Sequence, residues 1–125
     1  MRILLDTHVY LWWLEDHPTL STQARTLIGD ATEVYVSSAS IWEASIKAGI
    51  GKLDVDVDAL VAEIEHSGFY ELQVSARHAA AVRGLSNIHN DPFDRILIAQ
   101  AICEPLRFLT HDGKLKSYSQ LVEIV

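Results

Sequence analysis

The chain has 125 residues, of which 49% are hydrophobic and 22% are charged, so it can bury one domain-sized core and is not a disordered chain. Ten Lys and Arg residues against seventeen Asp and Glu residues give a net charge of -7, which excludes nucleic-acid binding by protein charge alone. The single cysteine, Cys103, excludes an internal disulfide.

The first half of the chain alternates short strands with helices. The apolar residues 3–5 predict a strand that is buried on both faces, and a helix over 7–14 follows it directly. A second, amphipathic helix is predicted over 23–28, and the β-rich segment 34–36 predicts the next strand. A third helix is predicted over 40–48, because Ser40 is a favourable capping residue and glycines follow its end.

The second half continues the alternation of helices and strands. The predicted elements are a helix opened by Asp56 or Asp58, a strand at 71–74, a helix at 75–84, a helix at 93–103, and strands at 107–109 and 122–124. The helix at 93–103 has almost no polar face, so we expect protein to cover it on most sides. The whole pattern predicts an α/β fold, a three-layer α/β/α sandwich with a mostly parallel central sheet.

Four acidic residues fall where predicted strands end or predicted helices begin. Asp6 directly follows the first strand, and Asp112 comes three residues after the strand at 107–109. Glu43 and Asp94 fall in the first turns of two predicted helices. In a parallel α/β fold these positions share the carboxyl edge of the sheet, so we expect the four carboxylates to meet. Clustered carboxylates repel one another unless a cation joins them, and oxygen ligands suit Mg²⁺ or Mn²⁺.

Each of these acids also has a purely structural explanation. Glu43 stands three residues after Ser40, the spacing of a capping box, and four before Lys47, the spacing of a helical ion pair. Asp94 suits the positive end of a helix dipole, and Asp112 begins a turn sequence. A structural role explains any one acid well, but it does not explain why all four share one edge.

Four short motifs, taken in chain order, resemble those of a known family. They are Asp6-Thr7-His8, Trp42-Glu43, Asp91-Pro92-Phe93-Asp94-Arg95 and Thr110-His111-Asp112. Together they are similar to the PIN-domain ribonucleases, and in particular to the VapC-like toxins of prokaryotic toxin–antitoxin pairs. The resemblance implies that residues 1–125 form a single PIN-like domain with an acidic quartet that binds one or two Mg²⁺ or Mn²⁺ ions and cleaves RNA. The residues that match this quartet are Asp6, Glu43, Asp94 and Asp112.

Residues close to the quartet in the sequence are predicted to have secondary roles. Asp91 is expected to cap the helix at 93–103, with a place in the outer shell of the metal as its second role. The candidate contacts for RNA phosphates are Arg95, Lys47, Lys114 and Lys116. The alternative is that Lys47 pairs with Glu43 and that the other cations are merely solvated. The histidines His8 and His111 are expected at the rim of the site.

The first helix predicts a protein partner. Residues 9–14 are all apolar and include Trp12 and Trp13, which is more than the single stripe that a helix needs when it rests on a sheet. We therefore expect part of this surface to stay uncovered in a monomer. The family resemblance implies two partners for it, a second copy in a homodimer and an antitoxin peptide that blocks the acidic site. The alternative is that neighbouring helices cover the surplus.

Two other functions compete with a ribonuclease toxin. One is a catalytically silent PIN-like module that binds or regulates, and the other is a different Mg²⁺-dependent α/β enzyme that handles phosphate. A haloacid-dehalogenase-like phosphatase would need an Asp where His8 stands, and the segment Gly49-Ile50-Gly51-Lys52 lacks the spacing of a P-loop. No apolar run is long enough for a signal peptide or a membrane span, so we expect a cytoplasmic protein without a membrane partner.

Overall fold

A five-stranded parallel sheet forms the centre of the structure. In the computed structural model, which describes residues Met1–Val125, the strands are β1 (Arg2–Leu5), β2 (Glu33–Ser37), β3 (Tyr70–Leu72), β4 (Arg107–Thr110) and β5 (Val122–Ile124). Their spatial order is β3-β2-β1-β4-β5, and every neighbouring pair is parallel. The predicted α/β sandwich is confirmed, and the sheet is parallel throughout.

Six α-helices cover the two faces of this sheet. They are α1 (Thr7–Glu15), α2 (Thr22–Asp30), α3 (Ser38–Gly49), α4 (Val57–His66), α5 (Ala76–Ala81) and α6 (Pro92–Cys103). Two short 3₁₀ helices, Val82–Gly84 and Gly113–Tyr118, complete the fold. None of the helices combines the length and the apolar character that crossing a bilayer requires.

The alternation of side chains along β1 divides the core into two apolar clusters. Ile3 and Leu5 point to one face, where they join buried residues of α1, α2 and α4. Leu4 points to the other face, where it joins Leu97 and Ile98 of α6. Because successive side chains of a strand face opposite ways, the run at 3–5 is apolar at every position. This sandwich fixes the ends of β1 and β4 side by side.

Several boundaries differ from the sequence prediction. The cap of α3 is Ser37 rather than Ser40, so the helix begins at Ser38 and Glu43 lies in its second turn. Strand β3 covers Tyr70–Leu72 instead of 71–74. The helix predicted over 75–84 ends as α5 at Ala81 and continues as 3₁₀ helix. These differences leave the four acids at the carboxyl edge.

The two helices expected to carry surplus apolar residues are partly covered. Helix α6 is buried along its middle, whereas Ile102 near its end is 42% exposed. On α1, Trp12 and Trp13 are half-buried, because Trp12 contacts His111 and Trp13 contacts Phe69, with ring centroids 5.4 and 6.1 Å apart. The most exposed tryptophan is instead Trp42 of α3, at 61%.

Candidate functional site

The candidate site lies at the carboxyl edge of the sheet, beside the point where the strand order reverses. The chain leaves β1 to form β2 and β3 on one side, and it returns to the other side of β1 with β4. Parallel α/β sheets open a crevice at such a point. Asp6 directly follows β1, and Asp112 comes two residues after β4, so both acids stand at this crevice. Together they line a depression of about 300 Å³ with His8, Trp12 and His111.

Asp6 is a buried carboxylate held from two directions. Its backbone N–H donates to the carbonyl of Leu109 at 2.9 Å, which extends the β1–β4 pairing past the strand end. Its Oδ2 accepts a hydrogen bond from Thr110 Oγ1 at 2.5 Å. Burial raises the pKa of Asp6, although the Thr110 hydroxyl opposes that rise. A buried carboxylate of this kind fits a site in which a bound cation neutralises its charge.

Glu43 reaches the edge from α3 and is also buried. Lys47, one turn later, donates to its Oε2 at 2.6 Å, and this hydrogen bond raises the pKa of Lys47. The helix is tied to α1 by a hydrogen bond of 2.8 Å from Thr7 Oγ1 to Ser40 Oγ. Ser40 therefore links the elements that carry Asp6 and Glu43, instead of capping the helix as the sequence predicted.

Asp94 lies in the first turn of α6, which Asp91 caps. The Asp91 carboxylate accepts hydrogen bonds from the backbone N–H groups of Phe93 and Asp94 at 2.8 and 3.4 Å, so its predicted capping role is confirmed. Burial, followed by the negative charges of Asp6, Asp91, Glu43 and Asp112, raises the pKa of Asp94 to about 7. Asp94 therefore lies within electrostatic reach of the other three predicted acids.

Asp112 is the most exposed of the four, with 36% of its side chain open to solvent. Its backbone N–H donates to Thr110 Oγ1 at 3.1 Å, and its carboxylate accepts from the N–H of Lys114 at 3.0 Å to cap the 3₁₀ helix. The Thr110 hydroxyl therefore contacts both Asp6 and Asp112. Thr110 belongs to one of the four sequence motifs, but sequence reasoning missed this linking role.

His89 is a second residue that sequence reasoning missed. Its Nε2 lies 3.2 Å from Asp94 Oδ2 and 3.6 Å from Asp112 Oδ2. One ligand atom from each of these three residues lies within 4.8 Å of the other two, a spacing that a metal ion can bridge. His89 belongs to the irregular segment before α6, where periodicity gives no signal. Only the folded path of this segment brings the ring to the acids.

The basic side chains predicted to contact RNA have different environments in the structure. Arg95 uses its guanidinium on the backbone carbonyls of Val82, Ser86 and His89, so it holds the segment before α6 rather than facing solvent. Lys47 is paired with Glu43 and Lys116 donates to a backbone carbonyl, whereas Lys114 is exposed. His8 and His111 are exposed at the rim, as expected.

The donor set fits a hard divalent cation. Four carboxylates lie at one partly buried edge of the sheet, where burial and, after it, their mutual repulsion raise the pKa of Asp94 to about 7. The oxygen ligands that dominate the set are those that Mg²⁺ and Mn²⁺ take in proteins. A cation at this edge would favour the ionised forms of Asp6 and Asp94, whose pKa values are raised.

Residues 3–121 match the family model of the PIN domain. The chain belongs to the PIN-domain family. Its similarity extends to Ribonuclease VapC22 of Mycobacterium tuberculosis, which is 31% identical over 119 residues, covering 93% of this chain and 91% of that protein. The PIN-like and VapC-like resemblance inferred from the four motifs is therefore confirmed.

Solved structures with the same PIN fold include several complexes. VapBC2 from Rickettsia felis bound to a promoter DNA fragment has a TM-score of 0.71 at 19% identity, covering 99% of this chain and 98% of that one. FitAcB from Neisseria gonorrhoeae has a TM-score of 0.67 at 19% identity, with 98% and 96% covered. A toxin–antitoxin complex from Klebsiella pneumoniae has a TM-score of 0.66 at 16% identity, with 97% and 95% covered.

Proposed function

We propose that this PIN-domain protein is a ribonuclease that depends on Mg²⁺ or Mn²⁺ and acts as the toxin of a toxin–antitoxin pair. The observation that carries the proposal is the convergence of Asp6, Glu43, Asp94 and Asp112, with the pKa of Asp94 raised to about 7. Similarity to a protein named Ribonuclease VapC22 supports RNA as the substrate.

Different residues of the site have different roles in hydrolysis. When bound, a divalent cation supplies a water of lowered pKa and offsets the charge of the phosphodiester. The Thr110 hydroxyl holds the Asp6 carboxylate and the backbone N–H of Asp112, so it ties together the two segments that carry these acids. Glu43 or Asp94 orients the attacking water and accepts its proton. Lys47 holds Glu43 in place, so we assign it a positioning role ahead of direct contact with RNA.

Few Lys and Arg side chains of the protein are placed to contact the RNA backbone. Lys114 is exposed beside Asp112, where it can reach a phosphate next to the scissile bond. Arg95 is committed to backbone carbonyls and acts on the site through the segment it holds. With a net charge of -7, the protein relies on the bound cation for much of its attraction to RNA.

The experiment that tests this function is cleavage of an end-labelled RNA mixture by the purified protein. We expect cleavage with Mg²⁺ or Mn²⁺, loss of cleavage with EDTA, and recovery when the metal is returned. Asp6→Asn and Asp94→Asn should each reduce the rate by at least about a hundredfold, while Asp54→Asn, at an exposed position away from the site, should not. Cleavage that persists in EDTA, or in both site variants, would refute the assignment.

We also propose that the protein binds an antitoxin and forms a homodimer. The antitoxin is supported by the likeness of this fold to the toxin–antitoxin complex from Klebsiella pneumoniae. For the dimer, helix α3 and its C-terminal cap offer Trp42, Ile46 and Ile50 at intervals of four residues, exposed by 61%, 41% and 62%. Such a stripe of large apolar side chains is typical of an interface between proteins. This surface replaces the α1 tryptophans as the candidate for self-association.

Sedimentation of a charged variant tests the dimer. Ile46→Glu places a charge in the middle of the α3 stripe and should convert a dimer to a monomer without loss of the fold. Ile102→Glu changes a similarly exposed isoleucine on α6 and serves as the matched control. If the wild type and Ile46→Glu sediment equally, this stripe is not the dimer interface.

A further inference from the structure

We propose that His89 is a nitrogen ligand of the divalent cation, together with Asp94 and Asp112, and that it biases the site toward Mn²⁺ over Mg²⁺. This inference rests on the proposed metal-dependent function. It adds a ligand outside the acidic quartet, from a segment of irregular structure before α6. Three features support this role: the position of the ring, the contacts that hold its backbone and the donor chemistry of imidazole.

The position of the ring matches that of a ligand. Its Nε2 lies between two carboxylates, 3.2 Å from Asp94 Oδ2 and 3.6 Å from Asp112 Oδ2. Neighbouring ligands about 2.1 Å from an octahedral cation are separated by roughly 3 Å. Small movements would therefore bring all three atoms into one coordination shell. The side chain is 26% exposed, so part of the ring is accessible to solvent.

The backbone of His89 is held so that the ring stays near the acids. Its N–H donates to Tyr118 Oη at 2.8 Å, and its carbonyl accepts from Arg95 Nη1 and from Tyr118 Oη, both at 3.3 Å. Arg95 also donates to the carbonyl of Ser86 at 3.0 Å. The anchors come from α6 and from the 3₁₀ helix after Asp112, the two elements that carry the neighbouring acids. The backbone of His89 is therefore tied to the two elements that carry Asp94 and Asp112.

Cation binding through His89 must change the hydrogen bonds that its ring makes. Nδ1 accepts from the N–H of Asn90 at 3.0 Å, which places the imidazole proton on Nε2 when no cation is bound. Coordination through Nε2 requires that this proton move to Nδ1 and that the Asn90 N–H be released. Mn²⁺ and Mg²⁺ both prefer oxygen ligands, but Mn²⁺ is a first-row transition metal and accepts an imidazole nitrogen more readily, so a nitrogen ligand favours Mn²⁺ over Mg²⁺.

Pulsed electron paramagnetic resonance of the Mn²⁺-loaded full chain tests this ligand directly. Because Mn²⁺ is paramagnetic, a coordinated imidazole gives a ¹⁴N modulation of its spin echo. We expect this signal in the wild type and in His8→Gln and His111→Gln, which change the two rim histidines of the same depression. We expect its loss in His89→Gln. In calorimetry, His89→Gln should lower Mn²⁺ affinity by about tenfold or more and Mg²⁺ affinity by less.

The outcomes separate this inference from the proposed function. If Mn²⁺ binds to the wild type without a ¹⁴N signal, or if the signal survives in His89→Gln, His89 is not a ligand and the metal-dependent nuclease stands. If the signal is lost in His111→Gln instead, the nitrogen comes from the rim and the inference is overturned. If Mn²⁺ and Mg²⁺ both fail to bind to the wild type, the proposed function fails as well.

Discussion

Replacing Asp94 by Asn should stabilise the protein at pH 8 when no divalent cation is present. Burial and the surrounding carboxylates raise the pKa of Asp94 from 3.8 to about 7, so the folded protein holds its proton more tightly than the unfolded chain does. Stability of the wild type therefore falls as the pH rises from about 4 to about 7. The Asn side chain has no proton to lose, so the variant avoids this fall.

The expected size of the effect follows from the same pKa. A change from 3.8 to about 7 corresponds to at most about 4 kcal/mol in the free energy of unfolding. Water and salt at the open side of the crevice screen this repulsion. The variant also loses up to about 1 kcal/mol of favourable interaction between the Asp94 charge and the N-terminus of α6. We expect a net gain of about 1 to 2 kcal/mol, because the repulsion outweighs the attraction to the helix N-terminus.

Urea unfolding in EDTA, repeated at pH 4, 6 and 8, measures this effect. The gain of Asp94→Asn over the wild type should be absent at pH 4 and largest at pH 8, where Asp54→Asn, at an exposed position, should show no comparable gain. Adding Mn²⁺ at pH 8 should stabilise the wild type more than the variant. A variant no more stable than the wild type at pH 8, or a gain that is equally large at pH 4, would refute the reasoning.

Two further variants test the supports of the site, and a third tests a hydrogen bond in the core. Thr110→Val removes the hydroxyl between Asp6 and Asp112 and should weaken Mn²⁺ binding by about tenfold or more in calorimetry. Lys47→Gln leaves the buried Glu43 carboxylate without its ammonium partner and should lower the free energy of unfolding in EDTA by about 1 to 3 kcal/mol in urea titration. Tyr10→Phe removes the 2.7 Å hydrogen bond to the carbonyl of Leu60 and should cost about 1 kcal/mol in the same titration, with RNA cleavage unchanged.

The architecture could be predicted from sequence because its signals are local and repeated. Short apolar runs such as 3–5 indicate strands buried on both faces, and alternation with helices predicts a parallel sheet. Topology then places Asp6 and Asp112 at one edge without knowledge of any contact. The predicted start of α3 was wrong because several serines compete for the cap. β2 runs as far as Ser37, which leaves Ser40 free to accept a hydrogen bond from Thr7.

The rest of the site could not be predicted because it depends on contacts between distant segments. His89 reaches Asp94 and Asp112 only because Arg95 and Tyr118 fix its backbone, and no periodic pattern records this. The same limit applies to apolar surfaces. Sequence shows that α1 has a surplus of apolar residues, but only the fold shows that Phe69 covers Trp13.

A crystal soaked in Mn²⁺, with an anomalous difference map collected at the manganese edge, tests most directly whether the acids form a metal centre. We expect one or two peaks at the carboxyl edge of the sheet, within coordination distance of Asp6 and Asp94. The peaks should disappear in Asp94→Asn crystals treated in the same way. The crystals used for this test should be of protein that cleaves RNA after they are dissolved. The claim that these acids form the metal centre would be contradicted if Mn²⁺ bound only elsewhere on the protein.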